Sequence, residues 1–482
     1  MMPGLQALHA AVGTAAVAVG LVIIAAGVLQ NLLYLVQFTI SFVALRARPP
    51  VPDRREVWLQ LSDSTIPISL LVPAFNEQAT VVENIRSLLA LTYPNFEIIV
   101  INDGSTDHTL GEMIGAFDLR PASRAFEEAV PHRPIRNIYR SSRHPQLMVV
   151  DKENGGKADA LNAGINLARM PLVCAMDADS LLENDSLLRA VQPFADDPIQ
   201  VLAVGGTIRV VNGCTVRAGQ VVEVGLPGEP LALFQIVEYL RAFLMARLAW
   251  SRLNALMVIS GAFGIFKRSA VVAVGGYSLG TVGEDIDLIV KIHRLIHERG
   301  INGEVRFVAD PVCWTEVPVT LRQLGRQRRR WQRGALETFF THFRMLGNPR
   351  YGAAGLVGFP YLFLADVLGP PLEVLGYLLI PLLWGTGLLG VEYLLAFLAL
   401  TFVFGVCVSV GALILEELQL HRYPRPRDLA LLTLVAVAEN FGYRQINNLW
   451  RIAGYWQFLR GAKGWGLMER RGFGKGEGRR LP

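Results

Sequence analysis

The sequence predicts an α/β domain with a parallel sheet, set between hydrophobic helices that can enter a membrane. The membrane part rests on composition: 52% of the 482 residues are hydrophobic, 18% are charged, and the apolar residues are concentrated towards the two ends of the chain. A mean hydropathy of +0.35 is too high for an ordinary soluble chain. The α/β part rests on the middle of the chain, roughly residues 54–350, where strand-like and helix-like patterns alternate.

The N-terminal segment, residues 1–48, is predicted to cross the membrane. Its first 45 residues contain no Lys, Arg, Asp or Glu. We expect one tilted helix around residues 12–36, with a hairpin turning near Gln30 and Asn31 as the alternative. The segment is too long for a cleavable signal and has no basic residues at its start. The basic residues that follow it place the N-terminus outside and the middle domain in the cytoplasm.

Residues 49–320 are predicted to form the soluble domain. The Pro-rich stretch 49–52 is a stiff linker, and a helix is expected at residues 81–91. Apolar strands are predicted at residues 66–72, 96–102, 147–150 and 172–176. Strands that alternate with helices indicate a parallel sheet with helices on its faces. Residues 118–145 are rich in Pro and Arg, and we expect them to form an exposed loop.

Two amphipathic segments, residues 231–253 and 321–343, carry Arg beside bulky apolar residues. This composition suits helices that lie in a membrane interface, and we assign residues 321–350 as an interfacial region. Packing on the soluble domain is an equal alternative from the pattern alone.

The C-terminal region, residues 351–450, contains two strongly apolar segments at about 357–386 and 391–415. A Gly-Pro-Pro sequence at 369–371 is expected to break the first of them. Asp366 and Glu373 flank this break, and we expect them to cap helices or lie at the interface. A shorter apolar run at 429–438 predicts a re-entrant or interfacial helix, with a further span as the alternative.

Charge and cysteine content exclude some classes of protein. The net charge is +5, and basic residues cluster at 46–55, at 322–333 and in the cytosolic tail 451–482. Such clusters mark the cytoplasmic side of a membrane protein, and the tail can contact anionic lipid. No nucleic-acid recognition motif accompanies the charge. Four scattered cysteines without metal-site spacing predict free thiols in a reducing compartment.

Two carboxylates follow the predicted strand at residues 172–176. Asp177 and Asp179 are separated by one small residue, so on an extended segment both side chains can reach one ion. Open α/β sheets bind ligands at this end of a strand. Paired oxygen ligands suit Mg²⁺ or Mn²⁺ together with substrate phosphates. A solvated turn is the alternative for an isolated Asp-x-Asp.

Polar residues also follow the other predicted strands. Glu77 comes after the first strand and Asp103 after the second, where a nucleotide would bind. Asp103 can accept a hydrogen bond from a base or a ribose hydroxyl, whereas Asp107 is a predicted helix cap. Further along, two glycines precede Lys157 at the start of a predicted helix, which suits an anion at the helix N-terminus.

These motifs occur in a fixed order. Asn-Glu follows strand one, Asn-Asp-Gly-Ser-Thr-Asp follows strand two, and Gly-Lys-Ala-x-Ala-Leu-Asn and Asp-Ala-Asp come next. Gly-Glu-Asp at 283–285 and Gln-Arg-Arg-Arg-Trp at 327–331 complete the set. Over residues 66–340 the chain resembles the membrane-embedded, processive family 2 glycosyltransferases, which include cellulose, hyaluronan, chitin and poly-N-acetylglucosamine synthases. The resemblance implies an α/β GT-A (Rossmann-like) cytosolic domain joined to transmembrane and interfacial helices.

Carried over position by position, the resemblance implies a donor site. Glu77 and Asp103 would hold the uridine of a UDP-sugar, either UDP-N-acetylglucosamine or UDP-glucose. Lys157 would approach the nucleotide diphosphate. Asp177 would contact the uridine and share the metal, Mg²⁺ or Mn²⁺, with Asp179.

The resemblance also implies the catalytic groups. Asp285 would be the general base, with Glu284 beside it as the second acid of the motif. Gln327, Arg330 and Trp331 would close the site, with Arg330 on the diphosphate and Trp331 beside the acceptor sugar. A base on one side and a metal-bound leaving group on the other favour in-line displacement with inversion.

Several positions keep an alternative. Trp331 can also be a membrane-interface anchor, and Arg328 and Arg329 are expected to contact lipid headgroups or solvent. Residues 258–268 resemble the family's acceptor-side segment, with a turn and a buried strand as the alternative. The family usually has Thr-Glu-Asp, and Gly283 in place of the Thr is expected to loosen the loop.

The predicted function is transfer from a UDP-sugar to a growing β-linked polysaccharide that passes through the membrane segments. The protein would be a multi-pass protein of the cell membrane with a cytoplasmic catalytic domain. Its expected partners are the donor, a glycan or lipid acceptor, membrane lipids and export proteins. Two alternatives stay open: transfer of one sugar to a lipid carrier, and a noncatalytic subunit that transports or senses a glycan.

Overall fold

A computed structural model describes residues 2–47, 65–419, 423 and 425–462. The predicted linker at 49–52 and the basic tail after residue 462 lie outside the described residues. The described strands are β1 (Ile68–Ala74), β2 (Phe96–Asp103), β3 (Leu119–Ala122), β4 (Ile135–Ser141), β5 (Leu147–Lys152), β6 (Leu172–Met176), β7 (Leu181–Leu182), β8 (Val201–Val210), β9 (Thr215–Arg217), β10 (Gln220–Glu223), β11 (Phe263–Lys267) and β12 (Glu304–Thr315).

The helices surround the sheet and continue beyond it at both ends of the chain. They are α1 (Met2–Arg46), α2 (Val81–Leu89), α3 (Thr109–Phe117), α4 (Lys157–Leu167), α5 (Ser186–Asp196), α6 (Pro230–Leu240), α7 (Leu248–Arg252), α8 (Arg268–Ala273), α9 (Glu284–Glu298), α10 (Leu321–Thr341), α11 (Phe359–Leu362), α12 (Gly369–Gly385), α13 (Val391–Leu398), α14 (Phe404–Gln419), α15 (Pro426–Ala438) and α16 (Tyr443–Leu459). Short π-helical segments join several of them, including Arg241–Arg247 between α6 and α7 and Phe363–Leu368 between α11 and α12.

The middle of the chain folds around one ten-stranded sheet with the order β3-β4-β5-β2-β1-β6-β11-β8-β12-β7. Its central strands β5, β2, β1 and β6 are parallel. They are rich in Val, Ile and Leu and are buried along most of their length, as expected for strands covered on both faces. Their carboxyl ends therefore meet at one edge of the sheet, where Asn102 lies opposite Ala74 and Asp151.

The four predicted strands, β1, β2, β5 and β6, are parallel as expected. The whole sheet is mixed, because β3, β4, β7 and β11 run antiparallel to their neighbours. Residues 118–145 are not a plain exposed loop, since β3 and β4 extend the sheet at one edge. Because most of their side chains are exposed or half-exposed, these two strands lack the continuous apolar run that identifies the central strands.

The N-terminal segment forms the single helix α1, so the hairpin alternative at Gln30 and Asn31 does not occur. Within the described residues, three stretches are long and apolar enough to cross a membrane: Ala11–Arg46, Ala354–Gly385 and Val391–Leu418. The second continues through the Gly-Pro-Pro sequence without a break, because Pro370 and Pro371 occupy the first turn of α12, where a missing N–H costs little.

Asp366 and Glu373 are paired with arginines rather than capping helices, which corrects that expectation. Asp366 lies 2.8 Å from Arg451, and Glu373 lies 2.8 Å from Arg444. Both arginines belong to α16, so this C-terminal helix supplies counter-charges to the second candidate span. A carboxylate in a membrane segment needs such a partner.

The amphipathic segments lie between the sheet and the C-terminal helices. Helix α6 packs against β8 on one side and against α14 and α15 on the other, and α10 packs along α16. Arg209 on β8 also forms a buried ion pair with Glu416 on α14. The soluble domain and the candidate membrane helices are therefore joined by buried side chains.

Candidate active site

The loops after β1 and β2 are bonded to each other. Asn76 has a left-handed backbone with a φ of 56°, and its side chain accepts a hydrogen bond from the N–H of Thr106 at 2.8 Å. The N–H of Glu77 donates to the hydroxyl of Thr109 at 2.8 Å. Asp107 accepts from the N–H of Thr109 at 3.0 Å at the start of α3, although His108 and not Asp107 occupies the N-cap position.

Asp103 holds the glycine loop, a role that the sequence did not indicate. Its buried carboxylate accepts hydrogen bonds from Lys152 at 2.7 Å and from the N–H groups of Gly155 and Gly156 at 3.0 and 2.7 Å. Lys152 is itself fully buried and also pairs with Asp159. The carboxylate therefore fixes the backbone that precedes α4.

Lys157 begins α4 and joins the two sides of the site. Its ammonium donates to Asp177 at 2.5 Å and to the carbonyl of Gly261 at 3.0 Å. Burial opposes the charge, but the carboxylates of Asp177, Glu284 and Asp285 outweigh burial and raise the pKa of Lys157. The ammonium therefore stays charged beside the acids.

The acids of the 283–285 motif lie at the start of α9 and differ in environment. Asp285 accepts a hydrogen bond from the N–H of Gly261 at 3.2 Å. Glu284 is buried, and its Oε2 atom has no hydrogen-bond partner among the described residues. Burial, and then the nearby charge of Asp285, raise the pKa of Glu284 to about 8. Glu284 therefore favours its protonated, uncharged form near neutral pH.

Gly283 allows a close backbone contact, so it does not merely loosen the loop as expected. A Cβ atom built on Gly283 would lie 2.8 Å from backbone atoms of Gly334 in α10. No Thr can occupy this position without displacing the helix. Glu337, one turn further along α10, accepts hydrogen bonds from Thr281 at 2.8 Å and from the N–H of Val282 at 3.0 Å.

The Gln-x-x-Arg-Trp residues lie on α10. Gln327 is buried, and its Oε1 atom has no hydrogen-bond partner among the described residues. Trp331 is 42% exposed. Arg328 is not a lipid or solvent contact as expected: it is buried, and it forms a bidentate pair with Glu238 at 2.7 and 2.8 Å. Its guanidinium lies 4.5 Å from the ring centre of Trp331, so this pair also supports the tryptophan.

One cavity of about 1080 Å³ brings all of the predicted site residues together. They line it from the strand ends to α10, and they are Glu77, Asp103, Lys157, Asp177, Asp179, Glu284, Asp285, Gln327, Arg330 and Trp331. The cavity continues between the helices, where Arg247 and Asn447 line it. The sequence did not identify this second part, because its residues come from helices far apart in the chain.

The predicted site residues line one cavity beside the carboxyl ends of the parallel strands, where open α/β sheets bind their ligands. The comparison with protein families gives the class. The model described as glycosyl transferase family group 2 matches residues 172–414, about half of the chain, and glycosyl transferase family 2 matches residues 69–120. The chain belongs to the family 2 glycosyltransferases.

Curated relatives confirm the resemblance to processive enzymes of this family. The poly-beta-1,6-N-acetyl-D-glucosamine synthase of Staphylococcus epidermidis is 30% identical over 277 residues, which is 57% of this chain and 56% of that protein. The synthase of Staphylococcus aureus strain COL is 31% identical over the same shares. The matched region thus spans little more than half the length of these relatives.

Among solved structures, the mannosyltransferase PcManGT from Pyrobaculum calidifontis, in complex with GDP-Man and Mn²⁺, has a similar fold. The TM-score is 0.53 at 20% sequence identity, covering 94% of this chain and 99% of that chain. The predicted GT-A fold with a helical membrane region is confirmed.

Proposed function

We propose that this protein is an inverting, metal-dependent glycosyltransferase that moves N-acetylglucosamine from its UDP donor onto a growing β-linked polysaccharide. One observation carries the proposal: a single cavity is lined by the acids, the lysine and the arginine that such a transfer requires. The curated relatives are poly-beta-1,6-N-acetyl-D-glucosamine synthases, and we infer the donor sugar from them. The other steps follow from the chemistry of the lining residues.

The loops after the parallel strands would bind the nucleotide. Glu77 and Asp103 line the cavity at this edge, and we assign them to the uridine, with Asp103 also fixing the loop before Lys157. Lys157 and Arg330 would hold the diphosphate, whose negative charge grows as the sugar leaves. Gln327 has a buried oxygen that no donor among the described residues reaches, and a donor group on the bound nucleotide would satisfy it.

Asp177 and Asp179 fit a divalent cation. Both line the cavity, and Asp177 already holds the ammonium of Lys157. The described residues contain no cluster of three or more His, Cys, Asp or Glu side chains suited to a metal. Two carboxylates suffice for Mg²⁺ or Mn²⁺ when substrate phosphates and water complete the coordination. Such an ion would neutralise charge on the diphosphate leaving group.

Asp285 is our candidate for the general base. Its carboxylate accepts a hydrogen bond from the N–H of Gly261, and the carbonyl of the same residue accepts one from Lys157. An ionised carboxylate there can take the proton from an acceptor hydroxyl. Attack from the side opposite the leaving diphosphate inverts the anomeric centre, so an α-linked donor gives a β-linkage. Trp331 offers a flat apolar face to the acceptor sugar.

The position of the helices supports coupling of synthesis to export. The cavity extends from the sheet edge to Asp366 and Arg451 at the C-terminal helices. We propose that the protein is a multi-pass protein of the cell membrane, that the sheet domain is cytoplasmic, and that the polymer leaves through the membrane helices. Export proteins would be partners of this step.

The test is UDP release by the purified protein in detergent with Mg²⁺ or Mn²⁺, across a panel of UDP-sugars, with the products sized. We expect UDP release and a long polymer from UDP-N-acetylglucosamine. A product with one sugar on an added lipid carrier would replace polymerisation by lipid glycosylation. A folded protein that releases UDP from no donor would refute the enzymatic proposal.

Asp285→Asn tests the assigned base. The change is expected to lower turnover by at least about 100-fold, because a positioned base contributes roughly 10²–10⁴ to the rate, while UDP binding stays. Asp196→Asn is the control, since Asp196 is exposed and lies outside the cavity. Unchanged turnover in Asp285→Asn would reject the base assignment.

A further inference from the structure

One part of the cavity wall is built by helices and not by the nucleotide loops. It includes Tyr239 and Phe243 from α6 and the π-helical segment that follows it, and Asp366, Asn447 and Arg451 from the C-terminal helices. Aromatic rings beside hydrogen-bonding groups are typical of a carbohydrate site. Three arginines also line the cavity here, and two of them have carboxylate partners.

Those two arginines are held by other side chains. Arg328 makes its bidentate pair with Glu238 at 2.7 and 2.8 Å. Arg451 pairs with Asp366 at 2.8 Å and donates to Gln332 at 2.6 Å. Their guanidinium groups are therefore largely occupied before any ligand enters.

Arg247, the third, is different. Within the part of the chain that the structure describes, it has no carboxylate within ion-pairing distance, and its buried Nε atom has no hydrogen-bond partner. Its guanidinium lies 4.1 Å from the ring centre of Phe243. A cation–π contact of this kind contributes about 0.5–2 kcal/mol and uses none of the guanidinium N–H groups as hydrogen-bond donors.

The position of Arg247 is costly to maintain. Burial lowers its pKa to about 10, against the attraction of Asp285 and Asp366, so the side chain stays charged at neutral pH. It ends a π-helical segment, and such segments are frequent at functional sites. A buried donor without a partner destabilises a protein unless a ligand or water satisfies it.

The charges of this wall favour an uncharged ligand. Arg328 is balanced by Glu238 and Arg451 by Asp366. Asp285 and Asp366 attract the guanidinium of Arg247 through space. An anion between Arg247 and Asp285 would lie beside the carboxylate of the assigned base, which would repel it. Hydroxyl or amide oxygens, in contrast, accept hydrogen bonds without adding charge.

We propose that Arg247 binds the acceptor, donating hydrogen bonds from its guanidinium fork to the hydroxyl or amide oxygens of an uncharged terminal sugar. This proposal rests on the glycosyl transfer proposed above and names a residue that selects and positions its acceptor. The sugar would lie between Arg247 and Asp285, with a ring face against Trp331. The acceptor hydroxyl would then be near the base.

The first test measures binding without turnover. A short β-1,6-linked N-acetylglucosamine oligomer is titrated into the full-length protein in detergent with UDP and Mg²⁺, for the wild type, Arg247→Gln and Arg247→Lys. We expect Arg247→Gln to weaken oligomer binding at least about 10-fold, since hydrogen bonds to a charged donor contribute about 1.5–3 kcal/mol. Arg247→Lys should retain part of the binding. Arg252→Gln is the control, because Arg252 is exposed on the next helix and does not line the cavity.

The second test separates acceptor use from donor chemistry. The ratio of sugar transfer to donor hydrolysis by water is measured from UDP-N-acetylglucosamine with the same oligomer. We expect the ratio to fall at least about 10-fold in Arg247→Gln, because water needs no acceptor site. Equal losses of both reactions, or oligomer binding equal to that of the wild type, would overturn the proposal.

A charged acceptor gives a distinct outcome. If polyprenyl phosphate binds the wild type more tightly than the oligomer, and Arg247→Gln removes this binding, the ligand is an anion and the uncharged class is wrong. If the wild type releases UDP from no donor yet binds the oligomer through Arg247, the proposed transfer fails while the acceptor site stands.

Discussion

The backbones of Gly283 and Gly334 are in direct contact. A Cβ atom on Gly334 would lie 2.7 Å from the Cα atom of Gly283, and the reverse substitution would be equally close. Gly283 precedes the acids of α9, and Gly334 follows the Gln-x-x-Arg-Trp residues of α10. The contact therefore sets the distance between the assigned base and the residues assigned to the diphosphate.

Gly334→Ala is expected to lower turnover at least about tenfold, because neither backbone can move away without shifting a helix and small displacements of reacting groups are costly. Turnover and donor affinity are measured together. Gly280→Ala is the control: Gly280 lies in the loop that ends at Gly283, and nothing is within 4 Å of its added Cβ. Equal activity of the two variants would show that the close contact does not matter.

Arg328→Gln is expected to destabilise the protein. Removing one partner of a buried pair leaves the other carboxylate, Glu238, without its counter-charge, which costs roughly 3 kcal/mol. The apparent Tm should fall by several degrees. Activity should fall as well, because Arg328 also lies against Trp331. Arg322→Gln on the same helix is exposed and should leave the Tm unchanged; a similar Tm for both variants would contradict this role.

Glu284 predicts a dependence of stability on pH. Its pKa is raised to about 8 in the folded protein, above the value of about 4.3 for an unfolded chain. The folded state thus binds the extra proton, and this contribution to stability is complete below pH 4 and is lost as pH rises to about 8.

Glu284→Gln removes the titrating carboxyl group, and with it the loss of stability at high pH. We expect its apparent Tm to exceed that of the wild type at pH 8 to 9 and the difference to shrink towards pH 5. Thermal unfolding across this range, in one detergent and buffer series, measures the effect. Parallel curves for the two proteins would mean that Glu284 titrates normally.

Metal removal should stop UDP release. Chelation with EDTA is expected to abolish activity, and added Mn²⁺ or Mg²⁺ should restore it in the wild type, since the cation would neutralise the leaving group. Asp179→Asn should need a higher concentration of the metal or fail to recover. Activity that persists in EDTA after exhaustive dialysis would reject the metal requirement.

The strand ends and their polar residues could be predicted, because an apolar run followed by a carboxylate indicates a buried strand that ends at the carboxyl edge of a parallel sheet. Glu77 and Asp177 line one cavity for this reason, whereas Asp285, at the start of α9, is assigned only through the family resemblance. The antiparallel strand β4 could not be predicted, since its side chains are partly exposed and lack a clear period.

The partners of long-range contacts were also beyond the sequence. Nothing near Arg328 indicates that Glu238 lies against it, 90 residues away. Likewise, the contact with Gly334 that explains Gly283 depends on how two helices pack. Residue patterns report periodicity along one element, whereas these contacts depend on the tertiary arrangement of several.

The arginines of α16 have a consequence for how the chain is assembled. Asp366 and Glu373 are made before their partners Arg451 and Arg444, so during synthesis both acids enter the second candidate span without counter-charges. The two acids therefore gain their counter-charges only when the last helix, α16, packs against this span. A chain that stops before Tyr443 would leave two unpaired negative charges in a membrane helix, and quality-control proteases would be expected to remove it.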